Sequence, residues 1–141
     1  MPTKTADAVW KGSLPEGTGH LKTPSGALDV DYGWKARSSD APGTSPEELI
    51  AAAHAGCFSM ALSHILGGAG HTPTEIKTHA AVQFSQQGEG FAITGIKLTT
   101  EAKVPGISEA DFKKHADAAK SGCPVSKALA SVPITLDAKL V

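Results

Sequence analysis

A chain of 141 residues with 13 basic and 14 acidic side chains suits one compact domain that buries about two-thirds of its unfolded surface. Its formal charge of −1 and pI near 6.6 give no electrostatic reason to expect nucleic acid or an acidic membrane surface as a partner. The start, Met1 to Trp10, lacks the apolar run and small-residue cleavage site of a secretory signal, and no stretch reads as a bilayer span. A cytoplasmic protein with no membrane partner is therefore expected. In that reducing compartment the two cysteines, Cys57 and Cys123, point to reactive or metal-binding thiols before a standing bridge, with buried inert thiols as the alternative.

In chain order, Ala6, Ala8 and Trp10 alternate with polar residues and predict a first strand. The segment His20 to Val30 is broken by Thr23-Pro24-Ser25-Gly26, so a meander of two or three strands follows. Lys35 to Thr44 is small and polar with Pro42-Gly43, which puts Arg37 on a loop or strand end. The next helix announces itself. Ser45 can cap it, Pro46 suits its first position, Glu48 completes a Ser-x-x-Glu capping box and Glu47 favours the positive dipole end. Gly67-Gly68 ends it. Between these limits apolar residues occupy every face, interrupted by His54, Ser59, Ser63 and His64, as in a helix packed on most sides.

After Pro73, Ala80, Val82 and Phe84 alternate in one strand, and Ile96, Leu98, Ala102 and Val104 share a parity in the next, with Gln86 to Gly90 as the hairpin turn. Ser108 and Asp111 open an amphipathic helix that Gly122 stops, and Cys123-Pro124 begins a short one. Ile134, Leu136, Ala138 and Leu140 alternate as a last strand. The order is α+β with mostly antiparallel sheet around a long buried helix. Nothing divides residues 1–141, which read as one domain. A helix apolar all round has too few partners within one such chain, and a second copy is the simplest cover, so a homodimer is expected.

The chemistry lies in few residues. Cys57 sits in mid-helix, where burial raises a thiol's pKa and no helix terminus helps it, so a thiolate there requires a nearby cation. Arg37 is the only arginine and cannot be neutralised, although a lone arginine is more often a solvated surface charge. His54, one turn before Cys57, is the competing activator, or simply fills space and hydrogen-bonds. Glu47 is about 15 Å of helical rise from Cys57; an antiparallel partner helix would bring one chain's Glu47 and Arg37 to the other's Cys57. Plain helix-start chemistry explains Glu47 and Glu48 otherwise. Cys123, at a helix start, is the more acidic thiol on these grounds. A metal site using His54, Cys57 and Cys123 has no paired Cys-x-x-Cys or His-x-x-x-His signature behind it. A noncatalytic dimeric ligand-binding or stress protein with buried thiols remains the other reading.

Gly43-Thr44-Ser45-Pro46-Glu47-Glu48-Leu49, Ala53-His54-Ala55-Gly56-Cys57-Phe58-Ser59-Met60-Ala61-Leu62, Val104-Pro105-Gly106-Ile107 and Gly122-Cys123-Pro124-Val125-Ser126 together resemble the osmotically inducible protein C (OsmC) and organic hydroperoxide resistance family. The resemblance covers nearly the whole chain. It implies an intertwined homodimer that reduces organic hydroperoxides in oxidative and osmotic stress defence, without cofactor or metal, and suggests a dihydrolipoyl dithiol as reductant. By the family pattern Cys57 matches the peroxidatic cysteine and Cys123 the resolving one, joined as a disulfide during turnover. Arg37 matches the arginine of the OsmC branch and Glu47 the glutamate that holds it; the organic hydroperoxide resistance branch takes its arginine from nearer the N-terminus, where this chain has none. Phe58, Met60 and Leu62 would then favour an apolar peroxide, or else are core.

Overall fold

Short alternating segments separated by turn residues form three antiparallel strands, β1 (Asp7–Lys11), β2 (Thr18–Lys22) and β3 (Asp29–Tyr32), in the order β1-β2-β3. Gly19 faces Trp10 on one side and Tyr32 on the other. Their rings lie 5.6 Å apart, and a Cβ at Gly19 would fall 2.5 Å from Tyr32, so glycine is what lets the aromatic pair close over the central strand. The computed structural model describes residues 1–141 and forms two units, Met1–Leu49 and Ile50–Val141.

Arg37 is on a short helix, α1 (Trp34–Ser38), not on the loop or strand end that its small polar surroundings suggested. The hydroxyls of Ser38 and Ser39 donate to the carbonyls of Trp34 and Lys35, 2.7 and 2.6 Å away, and close a turn that ordinary propensity would not hold.

Helix α2 (Pro46–Gly68) begins and ends where its caps predict. Ser45 Oγ accepts from the Glu48 N–H at 3.2 Å, but the box is not reciprocal: Glu48 accepts from Thr44 Oγ1 at 2.7 Å. His54, Phe58, Leu62 and Leu66, spaced by one helical turn, are fully buried. The opposite face is not covered within the chain, and Met60 is 77% exposed. By length and composition alone α2 could cross a bilayer, with mean hydropathy 1.6 and only 22% of that window buried, which corrects the expectation that no stretch reads as a span.

In the second unit β4 (Glu75–Gln87) and β5 (Gly90–Lys103) pair as an antiparallel hairpin with a register shift at Gln83/Phe84, and β6 (Ile134–Leu140) lies parallel to β5. The parallel edge requires a crossover. Helices α3 (Glu109–Gly122), capped by Ser108 Oγ accepting from the Asp111 N–H, and α4 (Pro124–Ala128) supply it. Phe58, Leu62 and Leu66 of α2, Ile96, Leu98 and Ala102 of β5, and Phe112, Ala116 and Ala119 of α3 make one core. Burial of each large side chain there contributes about 1.5–3 kcal/mol. A row of hydroxyls, Ser59 to Thr78 at 2.8 Å and Thr78 to Thr100 at 3.0 Å, pins α2 against the β4–β5 pair. The α+β class, the mostly antiparallel strands and the long helix are as the sequence predicts.

Candidate active site

Cys57 lies midway along α2, and Cys123 is the residue between α3 and α4. The fold brings these thiols, 66 residues apart in sequence, to an Sγ–Sγ distance of 2.8 Å, both unbridged. Burial disfavours charge on both sulfurs. At Cys57 it combines with the neighbouring Cys123 thiol to push the pKa up, against the Val125 N–H. At Cys123 the same burial is outweighed by the neighbouring Cys57 thiol and by the polar groups of Ser126 and the Val125 backbone, which favour charge there. The Cys123 thiol is therefore lowered and, as expected from its place before Pro124, is the more acidic of the pair.

Ser126 also meets His54. The His54 Nε2 is 2.7 Å from Ser126 Oγ, and both residues are buried. Burial lowers the His54 pKa, so the ring stays neutral. No local pattern marks Ser126 as its partner, because the two lie 72 residues apart.

In the first unit Arg37 and Glu47 form a forked ion pair. Arg37 Nε donates to both Glu47 oxygens at 3.1 Å, and Nη2 donates to Oε1 at 2.9 Å. The Glu47 side chain is 8% exposed and that of Arg37 35%, so the carboxylate fixes the plane of a guanidinium that still reaches solvent. Pro46 starts the helix and sets Glu47 in its first turn, which also favours the negative charge there. A cavity of about 240 Å³ in this unit is lined by Trp10, Leu14, Tyr32, Trp34 and Pro46, with Arg37 on its wall. Phe58 and Leu62, which the sequence offered as either substrate-facing or core, are core residues.

The family described as OsmC-like protein matches residues 38–137. The chain belongs to the OsmC family. It is 49% identical over 138 residues to the peroxiredoxin OsmC of Escherichia coli strain K12, covering 97% of this chain and 96% of that protein. It is 31% identical over 124 residues to the organic hydroperoxide resistance protein OhrB of Bacillus subtilis strain 168, covering 86% and 89%. An OsmC-like protein from Mycoplasma pneumoniae shares the fold, with a TM-score of 0.77 over 99% of this chain and 98% of that one at 18% identity. The OsmC resemblance carried by the helix and cysteine motifs is thus correct. What those motifs did not disclose is a histidine between two carboxylates on the first sheet, where His20 meets Asp31 and Asp29; it emerges only from strand register.

Proposed function

We propose that this OsmC-family chain is a cysteine-based peroxidase that reduces organic hydroperoxides to alcohols in oxidative and osmotic stress defence, in the cytoplasm and without a cofactor or metal. The observation that carries the reading is the Cys57–Cys123 pair at 2.8 Å, a geometry from which one thiol can resolve the oxidised form of the other. The greater likeness to the peroxiredoxin OsmC than to OhrB favours the OsmC branch.

In this reading the Cys57 thiolate attacks the hydroperoxide's terminal oxygen. The O–O bond breaks, alkoxide leaves and takes a proton to become alcohol, and Cys57 is left as sulfenic acid. Cys123 displaces hydroxide, which leaves as water, and a Cys57–Cys123 disulfide forms. A dithiol, of the dihydrolipoyl type, returns two electrons. Burial raises Cys57, so its thiolate needs a cation. Arg37, oriented by Glu47, has that role and also stabilises charge on the departing oxygen. The aromatic-lined cavity at Arg37 has room for the apolar substituent of a small organic peroxide. The uncovered apolar face of α2 supports a homodimer, with one domain of residues 1–141 per protomer, in place of a membrane partner; the net charge of −1 gives no reason for a nucleic-acid partner.

Mixing reduced protein with cumene hydroperoxide tests this. Rapid peroxide loss with one disulfide per chain is expected in the wild type; loss of one equivalent without an intramolecular disulfide in Cys123→Ser; none in Cys57→Ser. Consumption by all three at the rate of a free thiol removes the peroxidase reading and leaves a noncatalytic dimeric protein with buried thiols.

A further inference from the structure

Two contacts join α2 to the segment that carries Cys123, and the reaction described so far uses only one of them. Cys57 meets Cys123 at 2.8 Å; three residues back along α2, His54 Nε2 meets Ser126 Oγ at 2.7 Å, and Ser126 is three residues on from Cys123. Residues three apart on a helix share a face and lie about 4.5 Å apart along its axis. The pairs 57 with 123 and 54 with 126 are therefore successive rungs of one ladder, with α4 running against the direction of α2. A single rung would leave α4 free to pivot about it. Two rungs fix its orientation.

Helix α4 needs such a tie. Its five residues are too few for a helix to hold itself in water, and Ser126 is the only one of them that is buried. Beyond Cys123 at its head, α4 is thus anchored inside the protein by a polar contact and not by an apolar side chain. The partner is equally committed. His54 is 0% exposed, and its Nδ1 is buried without a hydrogen-bond partner. A side chain that only filled this space would serve better as leucine, which strands no polar atom. The stranded nitrogen is a cost that the Nε2 bond to Ser126 has to outweigh.

We infer that His54 and Ser126 are positioning residues whose hydrogen bond holds α4, and with it Cys123, at bonding distance from Cys57. The inference rests on the reading of Cys123 as the resolving cysteine. Resolution forms the S–S bond from a Cys123 electron pair as the Cys57 S–O bond breaks, and the departing hydroxide takes the Cys123 proton to become water. From 2.8 Å the two sulfurs have about 0.8 Å to close, so the step needs no unfolding of the Cys123 segment. Were Cys123 free to swing with α4, its effective concentration at Cys57 would fall. The sulfenic acid would then persist until a second hydroperoxide oxidised it to sulfinic acid, with a second alcohol leaving.

The reduction potential of the thiol pair tests this without peroxide, so its failure is distinct from failure of the peroxidase reading. Each protein is equilibrated with mixtures of reduced and oxidised dithiothreitol, and its free thiols are alkylated and counted by mass. Loss of one buried hydrogen bond should make the Cys57–Cys123 disulfide about tenfold easier to reduce in Ser126→Ala and in His54→Leu, a shift of about 30 mV to less negative potential. His54→Gln, whose amide N–H reaches the Nε2 position, should stay near the wild type. A bond that only stabilised the fold would serve the oxidised and reduced forms alike, and its loss would leave the potential where it is. Should His54→Leu fail to fold, Ser126→Ala, which removes one oxygen atom, decides. An unmoved potential in Ser126→Ala, or equal shifts in the folded leucine and glutamine variants, overturns the inference.

Discussion

His20 and His54 answer acid in opposite directions. On exposed β2, His20 holds Asp31 at 2.7 Å through Nδ1 and Asp29 at 2.5 Å through Nε2, and those hydrogen bonds raise its pKa above 6.5. A raised folded pKa stabilises the fold fully below the unfolded value and loses that contribution as pH climbs through the folded one. Buried His54 is lowered instead, so its contribution is whole above the unfolded value and is lost as pH falls through the folded one. Urea unfolding across this range should therefore show the wild type gaining on His20→Gln as pH drops toward about 6.5 and below, with the gap closing at alkaline pH. His54→Gln should show the reverse trend, losing less stability in acid than the wild type. A gap that ignores pH in either variant would mean that the ring's titration plays no part. The same scale separates what could be read from what could not: the acidity of Cys123 followed from Pro124 beside it, whereas the Ser126–His54 and His20–Asp31 contacts join residues that only folding brings together.

Helix α2 shows how unequal its features are in energy. Ser45 caps one N–H, so Ser45→Ala should cost about 1 kcal/mol. Leu62 lies fully buried between Phe58 and Leu66 in the row facing the core, and Leu62→Ala should cost about 3 kcal/mol because a cavity adds to the lost transfer energy. Chemical denaturation of the two variants measures the difference; comparable losses would mean that the row is loosely packed. The cap, the proline and the terminal glycines made this helix legible, since each is a local signal. Strand alternation made β1, β4, β5 and β6 legible for the same reason. Helix α1 was not legible, because five residues lie below the length at which helix propensity prevails, and the serine back-bonds that close it depend on the backbone already being bent. Nor was the uneven burial of α2, whose residues are apolar on every side.

At the scale of the whole molecule the uncovered side of α2 is the feature that one chain does not explain. An apolar helix face with Met60 largely exposed costs free energy in water unless something covers it, and a second copy supplies an equally apolar surface by symmetry. The proposed dimer also bears on the site. Arg37 is tied to Glu47 in the first turn of α2, and Cys57 is ten residues further along that helix, about 15 Å of rise. We propose that in this dimer a partner helix running antiparallel brings the head of one copy toward the middle of the other, so that the guanidinium of one protomer would serve the thiol of its partner. Co-expression of Arg37→Met with Cys57→Ser separates the possibilities. Each variant alone should be inactive, because one lacks the cation and the other the nucleophile. In a mixed dimer the Cys57 of the first meets the Arg37 of the second, and random pairing should restore about a quarter of wild-type peroxidase activity, since half the dimers carry one intact site of two. If each chain completes its own site, no mixture recovers activity, because every chain that keeps Cys57 then lacks the guanidinium that its own thiol needs.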